Sequence, residues 1–205
     1  MKLILASDLS FLLKYGYNLT GIPKKEMRIG YVTTASKGAS STDYVKIFKK
    51  QIEENGYNLE EIDIEDKTKK ELEKLFKDKN VIHIEGGNTF YLLKAIRKTS
   101  FDKILKEMLN KGKIYVGTSA GSSIMGPTIG FSSHVPENTP EEDLKGLDWV
   151  PFLVKSHYKD DKEKEYKKML QTIKYPVRIL RDGQGILVED GKYTFMGEGE
   201  EIKFN

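Results

Sequence analysis

The sequence predicts an α/β protein whose doubly wound, mostly parallel sheet carries helices on both faces. Short apolar runs of strand length alternate with longer amphipathic stretches along the first 120 residues. Two of the apolar runs lead directly into glycine-rich turns, at Gly86 and at Gly117. No internal repeat or low-complexity linker divides the 205 residues, so we expect one α/β domain over residues 1–205.

The first half of the chain alternates strand and helix patterns. Strands are predicted at 3–6, 29–33, 58–64, 81–84 and 114–116, and helices at 41–55, 68–77, 89–99 and 101–110. In the first helix Tyr44, Ile47, Phe48 and Ile52 recur at helical spacing, on one face of the helix. Thr68 is suitably placed to cap the second helix.

The second half of the chain is less regular. A helix is expected to begin at about Ser119. Residues 127–150 contain three of the six prolines and are predicted to form a long loop over the sheet edge. Residues 160–173 have helical spacing, and the chain from Val177 onward is typical of short strands, with turns at Asp182-Gly183 and Asp190-Gly191.

The composition excludes several classes of protein. Charged residues make up 32% of the chain and hydrophobic residues 38%, which is typical of a folded globular protein. The net charge of +3 gives little reason to expect nucleic acid as a partner. The absence of cysteine excludes disulfides, thiolate metal sites and a cysteine nucleophile. The apolar run at the N-terminus is too short for a signal peptide or a membrane span, so we expect a cytoplasmic protein without a membrane partner.

The segment Ile114-Tyr-Val-Gly117-Thr-Ser119-Ala-Gly121 carries the strongest functional signal. A Gly-x-Ser-x-Gly sequence between a buried strand and a helix is typical of a tight turn that exposes a nucleophilic hydroxyl, with small neighbours that avoid clashes. The hydroxyl of Ser119 would then lie at the carboxyl end of its strand, beside the N–H groups of the new helix. The alternative is a turn used only for packing.

A second glycine turn follows the strand at 81–84 and reads Glu85-Gly86-Gly87-Asn88-Thr89-Phe90. If both turns lie at one edge of the sheet, an N–H group of Gly86 or Gly87 can join that of Ala120 in an oxyanion site. We count Asn88 with these candidate substrate-binding residues, and either it or Thr89 can cap the next helix.

A nucleophilic serine requires a general base, and the chain has three histidines. His83 lies within an apolar strand and is predicted to be a core residue, whereas His134 lies in the loop. His157 follows an apolar stretch that could end at the same sheet edge, which makes it the best candidate base. The acid that orients it is predicted to be Asp182, at the end of an apolar strand, with Glu137 as the alternative.

These motifs resemble the aspartyl dipeptidase (peptidase E) and cyanophycinase family. The resemblance rests on 85–90, on 117–121 and on Ser156-His157-Tyr158, and it extends from the first strand to near residue 190. It implies a fold like that of the class I glutamine amidotransferases, with serine in place of their cysteine. By position it implies Ser119 as nucleophile and His157 as base, with the acid near Asp182.

The resemblance also implies a reaction and a substrate. A serine peptidase of this kind would cleave a short peptide, next to an acidic residue in many relatives, through an acyl-enzyme and without a metal or other cofactor. We expect a small peptide substrate and a monomer or homodimer. Relatives usually have proline where this chain has Ser156, and those that select aspartate carry an extra segment with a specificity arginine after the histidine.

Alternative functions differ in their chemistry. An esterase of the α/β-hydrolase type would place the acid before the histidine in the chain, whereas here the favoured acid follows it. A relative that kept the fold but acts as a weakly catalytic binding protein would not react with a fluorophosphonate probe at Ser119. A purely structural domain would require both glycine turns to be coincidental. For an acidic substrate, Lys155, Lys159 and Arg181 are the candidate carboxylate partners.

Overall fold

The computed structural model describes residues 1–204, and within these residues strands and helices alternate as predicted. The strands are β1 (Lys2–Ala6), β2 (Arg28–Val32), β3 (Asn58–Ile62), β4 (Val81–Ile84), β5 (Ile114–Thr118), β6 (Leu153–Lys155), β7 (Val177–Ile179), β8 (Gln184–Glu189) and β9 (Lys192–Gly197). The helices are α1 (Leu9–Phe11), α2 (Tyr17–Leu19), α3 (Asp43–Glu54), α4 (Lys69–Phe76), α5 (Thr89–Thr99), α6 (Phe101–Asn110), α7 (Ala120–Ser123), α8 (Glu141–Leu144) and α9 (Glu163–Leu170). A π-helical turn over Leu12–Gly16 joins α1 to α2, in a segment for which the sequence predicted no element.

The central sheet has the order β3-β2-β4-β5-β1-β8-β9, and its first five strands are parallel. β8 and β9 extend it as an antiparallel hairpin beside β1. The predicted mostly parallel sheet is therefore confirmed. Because parallel strands end at the same edge, the residues that follow β4, β5 and β1 come together at the centre of one edge.

Two layers of helices cover the sheet, because side chains of the buried strands point alternately to its two faces. On β1, Leu3 and Leu5 pack into the core cluster that includes α4, α5 and α6. Ile4 and Ala6 pack into the opposite cluster, with α1 and α3. Burial on both faces explains why the central strands are apolar runs rather than alternating ones.

Two details of the packing were not evident from the sequence. Ile47 is 54% exposed, because α3 turns Val45 and Ile52 to the sheet instead. Residues 127–150 form a loop apart from α8, but their buried Ile129 and Val150 belong to the core cluster on the α5 and α6 face. This loop therefore covers part of that face of the sheet, while its His134 reaches the cavity at the sheet edge that carries Ser119.

The stretch that precedes His157 forms a strand, although not in the central sheet. β6 pairs in parallel with β7, with Leu153 opposite Val177 and Lys155 opposite Ile179. The two strands form a separate small sheet, yet β6 ends near the central sheet edge as predicted, since the N–H of His157 donates to the hydroxyl oxygen of Ser7 directly after β1. Among the helices of residues 1–204, none has the length and apolar character required to cross a bilayer.

Candidate active site

Ser119 occupies a strained turn between β5 and α7. Its backbone has φ 46° and ψ −105°, a conformation that residues with a side chain rarely adopt. A Cβ on Gly121 would lie 2.2 Å from the carbonyl oxygen of Ile84, and one on Gly117 would lie 2.7 Å from the backbone of Gly121. The glycines on either side of the serine are therefore required by close backbone contacts.

The turn after β4 lies directly against the serine turn. A Cβ on Gly86 would come within 3.0 Å of the Cβ of Ser119. Gly87 has φ 137°, and a Cβ there would lie 2.5 Å from the carbonyl oxygen of Ala35, so this position also excludes a side chain. The two glycine turns that the sequence singled out are thus neighbours in space.

The structure distinguishes the amide groups that could hold an oxyanion. The N–H of Gly86 donates to Oε1 of Glu85 at 2.6 Å. Within residues 1–204, the N–H groups of Gly87 and Ala120 have no hydrogen-bond acceptor. Of the two combinations that the sequence left open, Gly87 with Ala120 therefore has both donors free.

Asn88 has a structural role at the start of α5. Its Oδ1 accepts the N–H of Tyr91 at 2.9 Å, and its Nδ2 donates to the carbonyl oxygen of Gly38 at 3.0 Å. The side chain is the N-cap of the helix, which was one of the two roles considered for it. Both of its polar atoms are occupied, which leaves little for contact with a substrate.

His157 lies two residues beyond β6, and its Nδ1 is 2.6 Å from Oδ1 of Asp182, in the turn between β7 and β8. The hydrogen bond to His157 is the main cause that holds the pKa of Asp182 below its usual value. His157 itself has φ 60°, a left-handed conformation that costs about 1–2 kcal/mol in a residue with a side chain. The structure thus brings together the predicted base and the first-choice acid.

Ser7 joins the base to the acid, although no sequence motif pointed to it. This serine is fully buried directly after β1. Its Oγ donates to Oδ1 of Asp182 at 3.0 Å and accepts the backbone N–H of His157 at 3.0 Å. The signal that could have found it is its position, since it follows the strand that pairs with β5 at the sheet edge that carries Ser119.

Ser119 and His157 line the same cavity, of about 610 Å³, together with His134 and the second glycine turn. Among residues 1–204, no hydrogen bond joins the Ser119 hydroxyl to the imidazole. Such bonds are often long before substrate binds. Glu137, the alternative acid, is exposed and makes no hydrogen bond or ion pair within the described residues, whereas Asp182 contacts the base.

His83 is a buried core residue, as the sequence predicted, and is not a general base for the serine. Its Nδ1 lies 2.9 Å from the Tyr17 hydroxyl and its Nε2 lies 3.4 Å from Oγ1 of Thr118. Burial lowers its pKa to about 4, so the imidazole is neutral at neutral pH. In the part of the chain that the structure describes, no three metal-ligating side chains cluster as they would around a metal ion.

The chain is similar in sequence to known peptidases. The sequence profile of Peptidase family S51 matches residues 13–196. The chain is 31% identical to the uncharacterized peptidase Lmo0363 of Listeria monocytogenes, over 70% of this chain and 72% of that protein. It is 29% identical to a probable alpha-aspartyl dipeptidase of Drosophila melanogaster, over 70% of this chain and 62% of that protein.

A solved structure shows the same fold. The crystal structure of a candidate peptidase E protein from Listeria monocytogenes superposes with a TM-score of 0.83 and 24% identity, over 97% of this chain and 98% of that one. The predicted α/β fold, of the class I glutamine amidotransferase-like type, is therefore confirmed. Since the family profile covers most of the sequence, the chain belongs to peptidase family S51 and is a serine-type peptidase related to peptidase E.

Proposed function

We propose that this protein hydrolyses short peptides through a triad of Ser119, His157 and Asp182. The observation that carries the proposal is the 2.6 Å contact between Nδ1 of His157 and Asp182, on the wall of the cavity that Ser119 also lines. An acid on Nδ1 leaves Nε2 to accept the serine proton and stabilises the imidazolium that forms. The strained backbone of Ser119 supports the same role, because such strain is concentrated at active sites.

In the proposed reaction, His157 removes the proton of Ser119 as the hydroxyl oxygen attacks the peptide carbonyl. The N–H groups of Gly87 and Ala120 stabilise the negative charge that develops on the carbonyl oxygen. The imidazolium then protonates the leaving amine, and the acyl-enzyme forms. A water molecule, activated by the same imidazole, hydrolyses the acyl-enzyme and regenerates the serine.

The first experiment tests the nucleophile. We expect Ser119→Ala to abolish peptide hydrolysis and to prevent labelling by a fluorophosphonate, while the unfolding temperature stays near that of the wild type. Ser133→Ala is the matched control, because Ser133 is exposed and lies outside the cavity. Full hydrolysis by folded Ser119→Ala would refute the mechanism. Rapid cleavage of p-nitrophenyl esters without any peptide hydrolysis would indicate an esterase instead.

We further propose that the preferred substrate has an acidic residue next to the cleaved bond, with Lys155 as the partner of its carboxylate. Burial lowers the pKa of Lys155, and in residues 1–204 its ammonium group has no ion pair. Partial burial and the charge of Lys155 also lower the pKa of His134, which lines the cavity of Ser119. Arg181 is less suitable, because its guanidinium already binds both carboxylate oxygens of Asp160, at 3.0 and 2.6 Å.

A peptide panel tests this specificity. Asp-X, X-Asp, Ala-X and β-aspartyl dipeptides would be compared on the wild type, on Lys155→Met and on the control Lys164→Met, whose side chain is exposed and lies outside the cavity. We expect the highest kcat/KM on Asp-X, and a loss of about tenfold or more on that substrate in Lys155→Met only, as for a charged hydrogen bond. Equal cleavage of Ala-X and Asp-X by the wild type would contradict the proposed substrate class but not the triad.

A further inference from the structure

The turn beside the nucleophile contains a buried acid that the mechanism above does not use. Glu85 directly follows β4 and is 2% exposed. Its Oε1 accepts the N–H of Gly86 and the hydroxyl of Thr118, each at 2.6 Å, and its Oε2 accepts the hydroxyl of Tyr31 at 2.7 Å. A buried carboxylate is unfavourable unless it is well hydrogen-bonded, and these three donors meet that requirement.

One oxygen atom of Glu85 connects the two glycine turns. Thr118 immediately precedes Ser119, and Gly86 immediately precedes Gly87. The contacts of Oε1 to these two residues therefore set the distance between the serine turn and the amide turn. The turns also touch directly, since a Cβ added at Gly86 would lie only 3.0 Å from the Cβ of Ser119.

The hydrogen bonds behind Glu85 run in a single direction. Because the hydroxyl hydrogen of Thr118 points to Glu85, the oxygen of Thr118 is left to accept from Nε2 of His83, at 3.4 Å. Nδ1 of His83 then accepts the hydroxyl of Tyr17, at 2.9 Å. Such a chain polarises each successive bond toward the carboxylate, which strengthens the contact between Thr118 and Glu85.

The contact with Glu85 also decides which amide faces the cavity. As long as the N–H of Gly86 donates to Oε1, this N–H is unavailable to a substrate. The adjacent N–H of Gly87, which has no acceptor in residues 1–204, is then the donor that can bind the oxyanion. Loss of one oxyanion donor typically lowers kcat by about 10²–10³. A misplacement of about 1 Å has a cost of similar order.

We propose that Glu85 is a positioning residue for the reaction, which holds the Gly87 amide and the Ser119 hydroxyl in register through its bonds to Gly86 and Thr118. This inference rests on the proposed function of Ser119. Both carboxylate oxygens of Glu85 already accept hydrogen bonds from the protein, and the proposed role involves no proton transfer. It acts through the two backbone turns, and its removal should therefore affect the chemical step more than substrate binding.

The test compares Glu85→Gln and Thr118→Val with Thr99→Val. Glutamine keeps the shape of Glu85 but replaces one acceptor by a donor, and valine keeps the shape of Thr118 but removes its hydroxyl. Thr99→Val is the matched control, because Thr99 is also buried and its hydroxyl donates only to backbone carbonyls within α5, at 2.8 Å to Ala95. Each variant would be assayed for peptide kcat and KM, for the rate of fluorophosphonate labelling of Ser119, and for its unfolding temperature.

We expect Glu85→Gln and Thr118→Val to lower kcat and the labelling rate by about 10–100-fold, with KM within about twofold of the wild-type value. Thr99→Val should lower the unfolding temperature but keep kcat. Wild-type rates in both Glu85→Gln and Thr118→Val would overturn the positioning role and leave the proposed function intact. An equal loss of kcat in Thr99→Val would overturn it as well, because the effect would then reflect general destabilisation. A wild type that neither cleaves peptides nor reacts with the probe would overturn both proposals.

Discussion

His83 should make the stability of this protein depend on pH in a range where few other groups titrate. The imidazole is fully buried between Tyr17, Tyr31 and Thr118, and burial lowers its pKa from 6.5 to about 4, opposed only in part by Glu85, whose Oε2 lies 3.8 Å from Nε2. Well above pH 6.5 the imidazole is neutral in both the folded and the unfolded chain, so it adds no pH dependence there. As the pH falls below 6.5, the unfolded chain binds a proton that the folded protein does not, and the folded state loses stability.

The size of the effect follows from the two pKa values. A difference of about 2.5 pKa units corresponds to about 3 kcal/mol when the loss is complete, below the folded-state pKa of about 4. By pH 5 the expected loss is about 2 kcal/mol, with a slope that approaches 1.4 kcal/mol per pH unit. This is a large fraction of the total free energy of unfolding of an ordinary domain.

Urea unfolding at pH 7.0, 6.0, 5.0 and 4.5 would measure this loss for the wild type and for His83→Gln. Glutamine retains a donor and an acceptor but does not titrate, so we expect a lower free energy of unfolding at pH 7 and a flatter decline toward pH 5. The difference between the two curves isolates the effect of the His83 imidazole. Carboxyl groups whose pKa is lowered, such as that of Asp182, lose their contribution to stability at lower pH in both proteins. Parallel curves between pH 7 and 5 would refute the reasoning.

The other predictions concern the site and its supports. Asp182→Asn should lower kcat by about 10⁴-fold, because an amide favours the wrong imidazole tautomer. The kcat of Glu137→Gln should stay within about twofold of the wild-type value, and the reverse pattern in peptide assays would reassign the acid. Ser7→Ala removes a donor to the acid and leaves the backbone N–H of the base without its acceptor, so urea unfolding should show a loss of about 1–3 kcal/mol together with a lower kcat; unchanged values for both would contradict that role. Gly121→Ala would place a Cβ 2.2 Å from the carbonyl oxygen of Ile84, so we expect a loss of about 3 kcal/mol or more, and a thermal scan that matches the wild type would contradict the steric argument.

The sequence was informative wherever the determining contacts are local. The central strands of the parallel sheet are apolar runs, and the capping box at Thr68 is formed by Glu71 only three residues away. The serine turn is similar, because the glycines on either side of Ser119 are required by the backbone of the turn itself and of the adjacent strand. Position at the end of an apolar strand was also enough to select Asp182 over Glu137 as the partner of the base, although its catalytic role stays a prediction.

Features that depend on distant pairing were not predictable in the same way. The helical segment over residues 9–19 is apolar on most sides and contains Gly16, so it lacks the periodicity that indicates a helix. Ser7 meets Asp182 across 175 residues of chain, and Glu85 meets Thr118 across 33. Nothing in the local sequence around Glu85 distinguishes a carboxylate that binds two turns from one that ends a strand.

The separate small sheet has a consequence for how the proposed triad can vary. Its strand β6 leads to His157, β7 leads to Asp182, and the N–H of Tyr158 donates to the carbonyl oxygen of Leu180 between them. The imidazole of His157 and the carboxylate of Asp182 thus follow the two strands of the small sheet, whereas the hydroxyl of Ser119 follows a strand of the central sheet. A substitution that shifts the small sheet alters the distance from the Ser119 hydroxyl to the His157 imidazole but preserves the distance between His157 and Asp182. Substitutions in the small sheet can accordingly lower or abolish the reactivity of Ser119 even where the altered residue contacts neither Ser119 nor His157.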